Sequence, residues 1–442
     1  MIRALAGFFA KIVRRWLPDA FLFAAILTFI VFVAGMLGEG KTPVEMISFW
    51  GGGFWNLLAF SMQMVVILVT GYVLAMSKPV RRGLEAIASL AKNPSQAIVL
   101  VTLVALAACW INWGFGLIVG ALMARELATR IRGIHYPLLV ASAYTGFLVW
   151  HAGLSGSIPL KIASPGDDAL SKLTEGQVIA VSDTIFSWQV LVVVVILFAT
   201  LPILNRMMIP KKDEILEVNS EKLKEPEEPV LKSSADMSPA EKMENSPIVS
   251  MILAVMGGGY LVYYFGTGGT LGLNSVNFLF LFAGILLHRT PANYLRALNE
   301  AIKTTGGIVL QFPIYAGIMG MMVQSGLAAS ISLWFVEIST PATFPLFTFL
   351  SAGIVNFFVP SGGGQWAVQA PIVMPAAAAL GVPLSKAAMA VAWGDAWTNM
   401  IQPFWALPLL AIAGLGIRDI MGYCVVALLW YGAIVGTAML IL

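Results

Sequence analysis

Four short polar stretches, at residues 112–116, 150–157, 360–364 and 395–403, interrupt otherwise apolar segments of the chain, and their residues could bind a small anion. Glycine lets the backbone approach a ligand closely, and a helix that begins after such a stretch points its first amide groups towards it, which favours a carboxylate. Asparagine, serine and threonine add neutral oxygens that suit a small cation such as Na⁺. We expect such a cation at the tips of two helical hairpins, at 112–116 and 360–364. The candidate binding residues are Asn112, Trp113, Gly114, Gly116, His151, Ser155, Ser157, Asn356, Ser361, Gly362, Gly363, Gly364, Asp395, Thr398, Asn399 and Gln402.

Asp395 is the only carboxylate well inside an apolar segment. Burying a charge there is costly enough to make such a residue functional by default. It could couple ligand binding to a proton or to a sodium ion, and the alternative is a structural partnership with backbone amides or a hydroxyl. His151 could titrate or coordinate an ion, although a lone histidine is more often a structural hydrogen-bond donor.

Two parts of the chain, about 250 residues apart, match each other weakly, and the four interruptions fall into two equivalent pairs under this alignment. Gln63 and Gln311 are equivalent residues that stand alone in apolar segments, where they support hairpin tips or form plain interhelical hydrogen bonds. The other aligned pairs are Thr42 with Thr290, Pro43 with Pro291, Ser77 with Ser325, Asn112 with Asn356, Ala141 with Ala390, Ala143 with Ala392, Tyr144 with Trp393, and Pro159 with Pro408.

The composition places these segments in a lipid bilayer. With 59% hydrophobic and 11% charged residues and a mean hydropathy of +0.85, a chain of 442 residues cannot bury its apolar surface in one soluble core. Its long runs are apolar on every side, which predicts helices rather than barrel strands. The basic residues lie beside these runs, so nucleic acid is not an expected partner. Cys109 and Cys424 are predicted to be packing residues, and no metal or cofactor is expected beyond a coupling Na⁺ or H⁺.

The charges that flank the segments predict their orientation. Residues 1–18 form either an interfacial amphipathic helix or a basic flank of the first span, and both place the N-terminus in the cytoplasm. Residues 97–124 begin and end near basic residues, so we expect a re-entrant hairpin with arms of about a dozen residues. Residues 344–380 mirror it. The nine predicted crossings are 19–38, 55–76, 137–157, 184–204, 248–265, 274–287, 305–324, 385–413 and 420–442, which leaves the C-terminus outside.

On this count Thr42 lies outside and Thr290 inside, so the two repeats enter the membrane from opposite faces. The predicted fold class is an all-α polytopic membrane protein with two inverted-topology repeats, each with a re-entrant helical hairpin and a broken helix. Its parts are an interfacial helix at 1–18, an N-terminal membrane repeat at 19–204, a cytoplasmic charged linker at 205–247 and a C-terminal inverted membrane repeat at 248–442.

Several long strings carry a resemblance to a known family: RRWLPD, GFWNLLAFSMQM, CWINWGFGLIVGA, VPSGGGQW, QPFWALP and GLGIRDIMGYC. Through them the chain resembles, nearly end to end, the bacterial short-chain fatty acid transporters of the AtoE type. The resemblance implies ion-coupled uptake of acetoacetate or butyrate-like monocarboxylates across the bacterial inner membrane. It also implies inverted repeats, elevator-type movement and a homodimer.

The residues themselves leave the substrate more open. They support a small anion with a short apolar tail, held by backbone dipoles and by aromatic residues such as Trp113, Phe115, Trp366, Trp397 and Trp405. Acetate, butyrate, lactate and a dicarboxylate all fit this description. An anion channel is the alternative class. The chain has no HExxH pair, complete GxSxG or P-loop, so it is not predicted to be an enzyme.

Overall fold

The computed structural model describes residues 2–163, 178–218, 237–269 and 273–442, and within these ranges the regular structure is entirely helical. The predicted linker therefore lies partly outside the described residues, at 219–236, as does the part of the preceding loop at 164–177. The apolar runs form helices because no water is available in a bilayer to satisfy exposed backbone groups.

The described residues of the first half form ten α-helices. They are α1 (Ile2–Trp16), α2 (Ala20–Glu39), α3 (Pro43–Gly53), α4 (Leu58–Met76), α5 (Lys78–Ala88), α6 (Pro94–Ile111), α7 (Trp113–Arg130), α8 (Tyr136–Tyr144), α9 (Ser157–Ala163) and α10 (Trp188–Met207). A 3₁₀ helix at Thr145–Ala152 continues α8. Short 3₁₀ turns also occur at Val181–Asp183 and Lys212–Glu214.

Those of the second half form eleven. They are α11 (Pro239–Glu244), α12 (Pro247–Gly266), α13 (Leu273–His288), α14 (Pro291–Ile302), α15 (Gly306–Ser325), α16 (Leu327–Glu337), α17 (Phe344–Phe358), α18 (Gly362–Ala379), α19 (Leu384–Thr398), α20 (Pro403–Ala413) and α21 (Ile417–Ile441). A 3₁₀ turn at Asn399–Ile401 separates α19 from α20.

Seven helical segments of the described chain are long and apolar enough to cross a membrane, or eight if the bent pair of α4 and α5 counts as one span. With the bent pair counted, the eight spans differ from the predicted nine for three reasons. The helix α13 has only 16 residues. The segment 385–413 is divided between α19 and α20. In the other direction, α6 is long enough to count as a span by itself.

The first predicted hairpin is formed by α6 and α7, which run antiparallel and meet at Asn112. Each arm has 18 residues, about 27 Å at 1.5 Å per residue, so the predicted arms of a dozen residues were too short. The helix continues past the apolar stretch into polar ends, which hydropathy does not detect. Gly116 lies directly against Cys109, and a Cβ on Gly120 would be 3.4 Å from the Cβ of Ala105.

The second hairpin is formed by α17 and α18, and its turn has the same backbone geometry as the first. Asn112 has φ −155° and ψ 125°, and Ser361 has φ −153° and ψ 107°. Each caps the following helix: Phe115 N donates to Asn112 Oδ1 at 3.1 Å, and Gly364 N donates to Ser361 Oγ at 3.2 Å. The structural counterpart of Asn112 is therefore Ser361 and not Asn356, with which the sequence alignment pairs it.

Other aligned residues also have matching roles. Thr42 and Thr290 are the N-caps of α3 and α14, and in both helices a proline follows at the first position. Ser77 and Ser325 mark the ends of α4 and α15. These matches support the internal repeat, while its inverted orientation in a membrane stays a prediction.

The amphipathic helix α1 packs against the last helix, α21. Gly422 of α21 lies directly against the backbone of Ala10, and Arg418 Nε donates to the carbonyl of Leu17 at 2.6 Å. Its outward face carries Phe8 and Trp16, which are 57% and 73% exposed. Such a face suits the predicted position in a membrane interface.

Candidate functional site

Both hairpin turns contact the same segment, residues 151–157, which follows α8. From the first turn, Trp113 N donates to Ser155 Oγ at 3.0 Å. From the second turn, Gly362 lies directly against the hydroxyl of Ser157, and a Cβ on this glycine would be 3.0 Å from His151 Nε2. Only glycine allows so close an approach. Two turns that are 249 positions apart in sequence thus meet around one interrupted helix.

The two broken helices also contact each other; they are α8 with its 3₁₀ continuation and α19 with α20. Trp150 Nε1 donates to Asn399 Oδ1 at 3.0 Å, and the hydroxyl of Tyr144 donates to the carbonyl of Asn399 at 2.6 Å. Trp150 and Asn399 are 249 positions apart, the same offset as the two turns. All four predicted interruptions therefore come together in the interior of the molecule.

His151 and Asp395 face each other at this junction. His151 Nε2 lies 3.4 Å from Asp395 Oδ1, and both side chains are completely buried. Neither ring nitrogen and neither carboxylate oxygen has a hydrogen-bond partner among the described residues. The predicted alternative for Asp395, a structural partnership with amides or a hydroxyl, is thus not what this part of the chain shows. A buried ionisable pair without supporting hydrogen bonds is costly.

Asn356, Thr398 and Gln402 form a brace between the second hairpin and the second broken helix. Asn356 Nδ2 donates to the carbonyl of Asp395 at 2.8 Å and to Thr398 Oγ1 at 2.9 Å. The Thr398 hydroxyl donates to the carbonyl of Gly353 at 2.8 Å, and Gln402 Nε2 donates to the carbonyl of Asn356. Most of their hydrogen-bonding capacity is used internally, so they position Asp395 more than they offer free ligands.

Free backbone donors remain at both turns. The amides of Gly114, Gly362 and Gly363 have no hydrogen-bond partner among the described residues, whereas the next amides are bound to the caps. They lie in the first turns of α7 and α18, where the helix dipole adds positive potential. The buried, unpartnered nitrogens of His151 lie beside the second of these turns. Together these groups can hold a carboxylate.

An aromatic cluster borders the junction. The ring centroid of Trp113 lies 5.3 Å from that of Trp405 and 6.0 Å from that of Trp150, and Phe147 stacks on Trp150 at 5.5 Å. Of the predicted aromatic residues, Trp113 and Trp405 belong to this cluster. Phe115 instead packs on Phe280, and Trp397 stacks on Phe349 and donates to the carbonyl of Leu428. Trp366 is buried in α18.

The contacts of Gln63 and Gln311 are with helices other than the hairpin turns. Gln63 Nε2 donates to Asn274 Oδ1 at 2.8 Å, which is the predicted interhelical hydrogen bond. Gln311 is buried in α15, and its Oε1 has no partner in the described part of the chain.

Sequence reasoning missed a second polar group inside the second hairpin. Gln365 Nε2 donates to the carbonyl of Ala352 and to Gln369 Oε1, each at 2.8 Å. Gln369 Nε2 continues to Ser332 and Ser351 at 3.0 and 3.2 Å. The signal was present, because two glutamines four residues apart share one face of an apolar helix.

The fold and the site together define a polytopic helical membrane protein whose interrupted helices converge on a buried polar junction. Residues 1–442 match the family described as "Short chain fatty acid transporter". The chain therefore belongs to the short-chain fatty acid transporter family.

Two curated relatives extend over almost the whole chain. A protein of Escherichia coli (strain K12) is 48% identical over 437 residues, 98% of each chain, and one of Haemophilus influenzae is 45% identical over 435 residues, 97% of each. Both are provisionally named as short-chain fatty acid transporters, and not as enzymes. Among solved structures, the Alcanivorax borkumensis YdaH transporter aligns with a TM-score of 0.44 and 14% identity over 96% of this chain and 97% of its own.

Proposed function

We propose that the protein is a secondary carrier that moves short-chain monocarboxylates such as acetoacetate and butyrate across the bacterial inner membrane, coupled to an ion. The observation that supports this most is the convergence of both hairpin turns on residues 151–157. A carboxylate at this junction accepts hydrogen bonds from the free amides of Gly362 and Gly363. Its short apolar tail packs against the cluster around Trp113 and Trp405.

The charge of the junction favours a monocarboxylate over a dicarboxylate. The four interruptions contain no lysine or arginine, and Asp395 already contributes a carboxylate. A second carboxylate on the substrate would be buried without a cationic partner, which is expensive in a low-dielectric interior.

Coupling to an ion follows from the same charge. A carboxylate that enters beside Asp395 brings two negative charges together, and a proton or a sodium ion compensates them. Asp395 is the residue through which we expect either ion to act, since it is the buried carboxylate of the junction.

We further propose elevator-type alternating access, in which the hairpins and broken helices move together against α2–α4 and α13–α15. The helices of the second group pack on one another, as in the contact of Gly53 with Gly320 between α3 and α15. The two groups meet where Gly71 of α4 lies against Ile118 of α7 and where Phe312 of α15 stacks on Phe404 of α20 at 4.0 Å.

The test is counterflow of radiolabelled acetoacetate in proteoliposomes, with protein-free liposomes as the baseline because undissociated acids cross lipid unaided. We expect saturable exchange in the wild type and a loss of at least tenfold in Gly362→Ala, because its Cβ would collide with Ser157 and His151. The matched control is Gly306→Ala, also at the first position of a helix but with no atom within 4 Å of the added Cβ. Flux that does not saturate, or single-channel steps, would contradict the carrier.

A further inference from the structure

His151 and Asp395 come from the two halves of the chain and form an isolated pair. The 3.4 Å between His151 Nε2 and Asp395 Oδ1 allows one proton to be shared or held between them. Neither side chain has another hydrogen-bond partner in the described chain, and neither is accessible to solvent. Their charge states therefore depend mainly on each other and on whatever binds beside them.

Among the described residues, no lysine or arginine forms an ion pair with Asp395. The hydroxyl of Tyr431 in α21 donates to the carbonyl of Trp393 at 3.4 Å, and an ordinary tyrosine is neutral at physiological pH. The lysine of α19, Lys386, lies nine residues from Asp395, about 13 Å along the helix. The remaining titratable groups on these helices are Cys109, Arg125, Glu126, Arg130, Tyr136, Tyr144, Lys161, Arg206, Arg418, Asp419, Tyr423 and Cys424.

The nearest cationic candidate is thus His151 itself. Its ring also lies beside the start of α18, because a Cβ on Gly362 would be 3.0 Å from both Cε1 and Nε2. A carboxylate held by the first amides of α18 would therefore lie near the histidine.

We propose that His151 and Asp395 together hold the coupling proton, so that one proton crosses the membrane with each carboxylate. This inference rests on the proposed function. The loaded pair holds one proton more than the pair without substrate, and that proton balances the negative charge of the bound carboxylate. The proton comes from water on the loading side and leaves with the carboxylate on the other, so the cycle is electroneutral.

The ligand chemistry disfavours sodium as the ion at this pair. Hard cations take oxygen ligands, whereas the atom that faces Asp395 Oδ1 is a histidine nitrogen.

The test is isothermal titration of the purified full-length protein with butyrate at about pH 8, where an ordinary histidine is neutral, in two buffers of different ionisation enthalpy. The difference in heat counts the protons taken up on binding. We expect about one proton per butyrate in the wild type, unchanged when choline replaces sodium, and none in His151→Gln or Asp395→Asn. The controls His288→Gln and Asp19→Asn should keep the proton uptake, since His288 contacts the Val73 carbonyl and asparagine caps α2 as well as aspartate does.

Butyrate binding without proton uptake overturns this inference and leaves the proposed function standing. The absence of any saturable binding overturns the proposed function, and the inference with it. Where a variant fails to fold, wild-type proteoliposomes decide the matter: uptake driven by a pH gradient and insensitive to an imposed membrane potential supports the proton pair. Uptake driven by the potential or by sodium contradicts it.

Discussion

At the scale of single residues, the site depends on side chains that hold one another in place. Asn356 is the clearest case, because its amide joins the carbonyl of Asp395 to the hydroxyl of Thr398. It is completely buried, so removing its side chain takes a donor from the Thr398 hydroxyl and leaves the Asp395 carbonyl with only the Asn399 amide, both without access to water.

Asn356→Ala should therefore lower stability by about 1–3 kcal/mol and weaken butyrate binding as well, because Asp395 loses its positioning. The thermal unfolding midpoint in detergent measures the first effect and titration the second. Thr437→Ala is the control, since that exposed hydroxyl bonds only to the Ala433 carbonyl of its own helix. An unchanged unfolding midpoint in Asn356→Ala would show that the brace contributes nothing to the stability of the fold.

Single residues were also where the sequence was most informative. Glycine, asparagine and serine inside apolar runs identified all four interruptions, and a carboxylate among apolar neighbours singled out Asp395. The sequence could not pair Asp395 with His151, because the contact joins residues more than 200 positions apart. It also could not show that Trp150 and Tyr144 donate hydrogen bonds to Asn399, because aromatic side chains in membrane helices make many different kinds of contact.

At the scale of elements, the linker after α10 is docked to the start of α8. Leu216 N donates to His135 Nδ1 at 3.0 Å, and Tyr136 N donates to the carbonyl of Leu216 at 2.9 Å. The other ring nitrogen of His135 lies 2.8 Å from the Tyr423 hydroxyl. Because Nδ1 accepts a hydrogen bond, His135 is neutral in this arrangement and carries its proton on Nε2.

This docking should be released by acid. Burial, aided by the charge of Arg14, lowers the pKa of His135 from 6.5 to about 4. A histidine whose folded pKa is depressed stabilises the docked state fully above about pH 6.5, and this contribution is lost as the pH falls towards 4.

A spin label at the exposed residue 217 reports the change, as Glu217→Cys with Cys109 and Cys424 replaced by alanine. We expect a restrained label at about pH 7.5 and a mobile one at about pH 4.5. His135→Ala should make the label mobile at both. Equal mobility at the two pH values in the unsubstituted His135 protein would refute this role.

Element boundaries were harder to predict than element types. The arms of the first hairpin are longer than the apolar stretch because α7 continues through Arg125 and Glu126 to Arg130. Helical hydrogen bonding continues there although the hydropathy has ended. The weak repeat aligned the helix starts at Thr42 and Thr290 correctly. At the second turn the alignment was wrong by five residues, because it paired Asn112 with Asn356 although the equivalent cap is Ser361.

At the scale of the whole molecule, elevator-type transport requires one group of helices to slide against another. Gly71 of α4 and Ile118 of α7 lie in direct contact across the proposed sliding interface. A disulfide between Gly71→Cys and Ile118→Cys, in a background without the two native cysteines, should hold the groups together.

Oxidation should then abolish counterflow, and a reductant should restore it. Each single-cysteine variant serves as a control and should be insensitive to oxidation. Full transport by a protein that gel mobility shows to be cross-linked would refute elevator movement at this interface.

The central claim is that a carboxylate binds where the four interruptions meet, and locating the ligand tests it most directly. A crystal of the protein with a bromine-substituted short carboxylate would show the bromine by anomalous scattering. We expect the bromine to lie beside Trp113 and Trp405, with the carboxylate within hydrogen-bond distance of the Gly362 and Gly363 amides. An ordered ligand elsewhere, with those amides uncontacted, would contradict it.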